Sequence, residues 1–411
     1  MKKFILSLVL ALGLMGASTA TFAQAGSLDP TFGNGGVVQT SPLSQFAGAA
    51  LAPNGDIVVA GGAANSATIV RYLPNGALDP SFGTNGIVTL PPPSNFFLGI
   101  SFTLGLGVQS NGKVVVTFYA FNNTGTASEA LLLRLNANGQ FDPTFGIGGR
   151  VNLNFPVPPS WSASATRVLP QPDGKILVTG NITPPFRNHS APLTLLARYL
   201  SNGALDASFG TNGVSELVTP VDLPSSLALL SGDGILAVNA QAPIAAAQFT
   251  SAGALVTPPT GGTIIATDNA GITAFQPNGE YLLAETTSGP DGRLNVDAEV
   301  MRFELNGTID SAFQSPVIRF GPDGADVKNL PAGVAVDSVG RVVMGAEYEG
   351  TSSFASGVAR LNANGTLDAT FGTDGISTTV SRFVIFAILV QPDNKVIMVG
   401  GTGDLARYLA Q

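Results

Sequence analysis

Short apolar runs recur along this chain, and each is entered through a turn rich in Gly, Asn or Asp. Pro53-Asn54-Gly55 leads into Asp56-Ile57-Val58-Val59-Ala60, and Pro172-Asp173-Gly174 leads into Lys175-Ile176-Leu177-Val178-Thr179. The same turn recurs at Ser110-Asn111-Gly112, Gly232-Asp233-Gly234, Pro277-Asn278-Gly279, Ser338-Val339-Gly340 and Pro392-Asp393-Asn394. Asn-Gly and Asp-Gly between apolar runs predict hairpins, because Gly or Asn accepts the positive φ of a tight turn. A third strand and a second turn follow, as in Ile69-Val70-Arg71-Tyr72-Leu73 and Pro74-Asn75-Gly76. The pattern predicts seven units of two hairpins each.

Polar residues recur on the same grid. An Arg and an Asp stand eight residues apart at Arg71/Asp79, Arg134/Asp142, Arg198/Asp206, Arg302/Asp310 and Arg360/Asp368. If Pro74-Asn75-Gly76 is a three-residue loop, Arg71 faces Asp79 across the hairpin, so the pair is expected to act as a structural latch. Three residues after each Asp comes a Phe (Phe82, Phe145, Phe209, Phe313, Phe371, and Phe32 after Asp29), expected to plug the space between neighbouring sheets. The fourth unit has Gln248, Val256 and Pro259 at these places, so Arg, Asp and Phe are lost together, as a coupled structural set should be.

The two ends of the chain complete one another. Counting from Arg407 through Gln411 to Gly26 makes Asp29 the eighth position, so Arg407/Asp29 is a sixth latch. The expected fold is therefore all-β, a seven-bladed β-propeller of four-stranded repeats averaging about 55 residues, its ring closed by the N-terminal strand completing the last blade. Blade seven would be shared by residues 26–40 and 381–411 of a single domain, 26–411.

The unit Gln171-Pro172-Asp173-Gly174-Lys175-Ile176-Leu177-Val178, with Leu196-Ala197-Arg198-Tyr199-Leu200 and Gly203-Ala204-Leu205-Asp206-Ala207-Ser208-Phe209-Gly210, resembles the delta-60 repeat family of exported bacterial proteins. The resemblance covers residues 26–411, with departures in the fourth unit and at Gln314, where Gly usually follows the Phe. It implies a propeller-type fold and export, and no defined activity.

Residues 1–25 read as a cleavable signal peptide: basic Lys2-Lys3, an apolar stretch from Phe4 to Met15, and Ala23-Gln24-Ala25 before the expected cut. No later stretch approaches the roughly 20 apolar residues needed to span a bilayer, so no membrane insertion is expected, and the destination is periplasmic or extracellular. With no Cys in 411 residues, thiolate metal sites and disulfides are excluded. The formal charge of −8, or −10 without Lys2 and Lys3, argues against nucleic acid as a partner. A monomer is expected.

Chemistry, if any, belongs on the variable loops, which in this strand order share one face opposite the tight turns. Phe96, Phe97, Trp161, Phe186 and Tyr348, with Glu347 and Glu349, are the candidate ligand face. The single His, His189, excludes multi-His metal centres, and Asp291-Gly292 and Asp323-Gly324 lack the ligand density of a calcium loop. No cofactor, metal or catalytic residue is assigned. The expected function is a non-catalytic module binding an unknown protein or glycan. The alternatives are a carbohydrate-active hydrolase or lyase with carboxylates among Glu285, Asp297, Glu299, Glu347 and Glu349 at the channel mouth, or a purely structural envelope component.

Overall fold

The computed structural model describes residues 24–39, 43, 45–63, 66–90, 96–99, 105–122, 128–153, 155, 162–183, 193–217, 226–239, 245–256, 272–276, 278–288, 296–321, 328–350, 354–379, 383–401 and 403–411. Trp161, Phe186, His189, Asp291-Gly292, Asp323-Gly324 and most of the expected signal peptide lie outside them. Among the described residues the regular structure is β apart from one 3-10 turn at Ser231–Asp233.

The apolar runs become the second strands of antiparallel sheets. Gln45–Leu51, Ile57–Ala63, Ser66–Tyr72 and Ile87–Leu90 pair in that order, and Ser162–Pro170, Ile176–Thr183, Leu193–Tyr199 and Val214–Leu217 repeat the arrangement. The second strand is apolar at consecutive positions because both of its faces are covered. Val58 and Ala60 pack against Val114 and Val116 of the next sheet, while Ile57 and Val59 pack against Ile397 and Val399 of the sheet on the other side.

The first strands of successive sheets touch one another around a common axis. Gln45–Leu51 meets Leu106–Val108, which meets Ser162–Pro170, and the sequence continues through Ser226–Leu229, Ile272–Phe275, Lys328–Val336 and Ile385–Val390 back to Gln45–Leu51. This radial packing of antiparallel sheets is a β-propeller.

The expectation of seven four-stranded blades, in a ring closed by the N-terminal strand completing the last blade, is corrected. The described strands form five sheets of three to five strands and one of seven. The large sheet arises because Val296 pairs in parallel with Lys328, joining Ile272–Phe275, Tyr281–Ser288 and Val296–Phe303 to Lys328–Val336, Val342–Glu349, Phe354–Leu361 and Ile376–Thr379. The three-stranded sheet is Ser226–Leu229, Ile235–Asn239 and Ala245–Phe249. Among the described residues, the Val296–Lys328 link apart, strand ladders do not join one sheet to the next and the ring is not closed by backbone pairing; the sheets stack through side chains roughly 10 Å apart, beyond backbone hydrogen-bonding reach. Within its own sheet, Val37–Val38 pairs with Leu405–Tyr408, with Val37 opposite Ala406.

Candidate functional site

The hairpin register is the one the turn spacing dictates. Tyr72 bridges Leu78 and the Asp79 N–H donates to the Arg71 carbonyl, which sets the two charged side chains opposite each other. Arg71, Arg134, Arg198, Arg302 and Arg360 each donate from Nε to Oδ2 of Asp79, Asp142, Asp206, Asp310 and Asp368 at 2.7–2.8 Å. Arg407 Nη2 lies 2.8 Å from Asp29 Oδ2. The second oxygen of each Asp accepts the N–H of the residue two positions on, and in five repeats that residue's hydroxyl as well. Burial alone would raise Asp29. The hydroxyl and N–H of Thr31, with Arg407 and Lys395, outweigh it and hold the pKa down to about 2.

Three features of this latch carry no sequence signature. Each Arg stacks on the Phe of its own repeat, with 4.3–4.9 Å from guanidinium carbon to ring centroid. Five of them also donate from Nη1 to a turn carbonyl of another repeat: Arg71 to Ala137, Arg198 to Ser251, Arg302 to Ala363, Arg360 to Ala410 and Arg407 to Pro74. In the repeat that lost its Arg, Gln248 makes the corresponding bond to Leu305. The plug Phe closes against the same turn: a Cβ on Gly76 would sit 2.9 Å from the Phe32 ring, and one on Gly253 2.7 Å from Phe209.

The third feature is a column of charge just after the first turn. Lys113, Lys175, Arg341 and Lys395 reach the latch carboxylates Asp142, Asp206, Asp368 and Asp29 at 2.7–3.6 Å. Asp56 and Glu280 hold the same place in the remaining two latched repeats and face the Arg instead, 3.7 Å from Arg71 and 3.3 Å from Arg302. Glu280, Glu304 and Asp310 are close enough to share a cation, but Arg302 already stands between Glu280 and Asp310.

Of the candidate ligand face, Trp161 and Phe186 lie outside the described residues. Tyr348 is buried, 6% exposed, in the core of the seven-stranded sheet, where a Cβ on Gly321 would lie 1.7 Å from its ring; its expected place on a loop surface is corrected. Phe96 and Phe97 lie in the strand Phe96–Gly99, paired with Val114–Asn122. Glu347 is half-buried and accepts the Ile385 N–H at 2.9 Å; burial pushes its carboxyl up, against that hydrogen bond and with the help of Glu349. Glu349 is exposed, 3.6 Å from Lys328. Of the carboxylates in the hydrolase alternative, Glu285 and Glu299 face each other across neighbouring strands, and burial pushes Glu299 up. Asp297 is held by Nε and Nη2 of Arg319 at 2.8–3.0 Å.

A different arrangement recurs instead at the outer rim. Three cavities, of about 950, 600 and 540 Å³, lie where the edge strand of one sheet passes the second turn of the next. Their linings share a set of equivalent positions, although the smallest is also walled by Phe383, Met398 and Ala406. The turn contributes Gly253, Gly76 or Gly26 and then Leu255, Leu78 or Leu28; the floor is Phe249, Tyr72 or Tyr408. The edge strand contributes Ser215 and Glu216, Val38 and Gln39, or Ser377 and Thr378. Leu78 and Leu205 stay 38% exposed at this rim although each is hydrophobic.

Fold and site together define a β-propeller repeat protein whose repeats are stapled by Arg–Asp–Phe latches. Residues 52–82, 109–145, 171–209 and 340–371 match the family described as Domain of unknown function (DUF5122) beta-propeller. No curated protein matches the chain. Among solved structures, the chain is similar to the WD40 β-propeller domain of Doa1 (10% identity, TM-score 0.47, 94% of this chain and 97% of that one). It is also similar to a protein of unknown function from Bacteroides caccae (12% identity, TM-score 0.39, 79% and 98%). A third is a puromycin-hydrolyzing peptidase of Mycobacterium tuberculosis (15% identity, TM-score 0.47, 94% of this chain and 56% of that one).

Proposed function

We propose that this chain is an exported, non-catalytic β-propeller of the delta-60 repeat type that binds a repetitive, uncharged glycan through its rim grooves. The observation that carries the reading is the recurrence of one groove at three junctions. A polymer of identical units is the ligand that such a surface can engage several times over, with avidity exceeding the affinity of each groove. The lining favours a neutral polar ligand: apolar floors are edged by Asn34, Gln39, Asn212, Ser377 and Thr378, with Glu216 the one carboxylate among the described lining residues. The basic residues, the apolar run and the small-residue cleavage site of residues 1–25 support export. The reading moves recognition away from the long loops, since Tyr348 is packed inside its sheet.

A glycan array probed with the purified protein tests this. Ala77 and Ala254 are exposed, equivalent groove positions, so Ala77→Trp and Ala254→Trp should each plug one groove. Each alone should weaken polysaccharide binding a few-fold, and the pair by roughly 10-fold or more. Absence of any glycan hit, or a doubly plugged variant that binds as well as the parent, would sink the proposal.

A further inference from the structure

A second site, separate from the rim grooves, lies on the tight-turn face. In four repeats the side chain following the first turn carries a positive charge to the latch carboxylate; Lys113 Nζ, 2.7 Å from Asp142 Oδ2, is the closest. In the Arg71 repeat that residue is Asp56, and the space is open. A cavity of about 620 Å³ is lined there by Asp56, Asp79 and Arg71, with Asn54, Ser81 and Asn111 among its other walls. Asp56 and Asp79 are each 4% exposed, and the two carboxylates outnumber the single guanidinium. Asn54 donates to Asp56 Oδ2 at 2.8 Å and so fixes the carboxylate that replaces the missing cation.

We propose that this cavity binds an alkylammonium group, taking from outside the chain the cation that four sister repeats supply from within. The charge selects the class. With Arg71 already bonded to Asp79 at 2.7 Å, one net negative charge remains, which matches a single ammonium; a divalent ion would have to displace the guanidinium. An ammonium carries three donors and no acceptor, which suits walls of carboxylate and side-chain amide oxygens. The tight turns leave the cavity open to solvent, so the amine can belong to a free small molecule or to a lysine side chain.

The test is a titration of the whole protein with n-butylamine hydrochloride, Nα-acetyl-lysine amide and Nα-acetyl-norleucine amide, followed by TROSY amide shifts of Asn54, Ser81, Asn111 and Asn138. Both amines should give saturable shifts with half-saturation on the order of 1–10 mM, and the norleucine compound none. Tighter binding of the lysine amide assigns the site to a polypeptide side chain; equal affinities assign it to a small amine. Asp56→Lys, which restores the sister arrangement, should weaken amine binding at least ~10-fold. Asp56→Asn, which keeps the shape, should weaken it in the same direction and serves if the lysine variant does not fold. Absence of saturable shifts in the parent, or equal amine affinity in a folded Asp56 variant, would overturn the proposal.

Discussion

The guanidinium of Arg360 lies 4.5 Å above the ring of Phe371, while its Nε donates to Asp368 Oδ2 at 2.8 Å. Arg360 is 2% exposed and also reaches the Ala410 carbonyl at 2.7 Å, so its charge is held on three sides. Removing it leaves the buried Asp368 with only the more distant Arg341, 3.6 Å away, and the Thr370 N–H and hydroxyl. Arg360→Ala should therefore cost about 3 kcal/mol in chemical denaturation, the low end for breaking a buried pair, because part of the compensation stays in place. Arg360→Lys should recover only part of that, since ammonium lacks the planar fork and the stack. The double variant Arg360→Ala/Asp368→Ala should be less destabilised than Arg360→Ala alone. A double variant that is more unstable still would show that the pair matters through packing, not charge.

Acid should weaken the fold through these same carboxylates. Asp29 is held at about 2, and Asp142, buried but bonded by Lys113, Thr144 and Arg134, is also held well below the usual carboxylate range. A depressed folded pKa contributes stability that is present above the unfolded value near 4 and is lost as pH falls through the folded value. Unfolding free energy should drop between pH 4 and pH 2, and the drop should be shallower in Asp142→Asn. Glu347 has the opposite sign: burial raises it, so its contribution is full below its unfolded pKa and declines as pH rises through the folded one. Glu347→Gln should remove that decline in denaturation curves taken from pH 4 upward.

Tyr348 and Gly321 give a purely structural prediction. The Tyr348 ring fills the space where a Cβ on Gly321 would stand. Gly321→Ala should force one of them aside and cost roughly 1–3 kcal/mol. Tyr348→Ala should leave a cavity and cost about 3–5 kcal/mol. Neither change should alter ligand binding by the folded protein; a selective loss of binding in Tyr348→Phe would return this residue to the recognition surface.

What the sequence discloses about this fold is what short-range chemistry determines. The Arg71 and Asp79 register follows from a three-residue turn, and a turn needs only its own residues to form. The column running through Asp56, Lys113, Lys175, Glu280, Arg341 and Lys395 gave no such signal, because its sign varies from repeat to repeat and its meaning lies in side chains that converge on the latch from another part of the sheet. The parallel link from Val296 to Lys328 was not legible, because it depends on where two separate hairpins come to rest. Tyr348 misled for a related reason: an aromatic near a loop looks the same in sequence whether it faces solvent or a glycine. The rim grooves were hidden because their walls come from neighbouring repeats and include backbone, which has no residue-type signature.

The bonds from each Arg to another repeat's turn also bear on the order in which the chain can fold. Arg71 waits for Ala137, 66 positions later, but Arg407 is answered by Pro74, 333 positions earlier. A chain emerging from its N-terminus must therefore keep the Pro74 turn unsatisfied until nearly all of it has been made. Contacts of such long sequence separation slow folding, because the loop must close before the contact rewards it. Early sheets should form as each successor arrives, and the last step should be a single long-range docking that converts a string of latched hairpins into one cooperative unit.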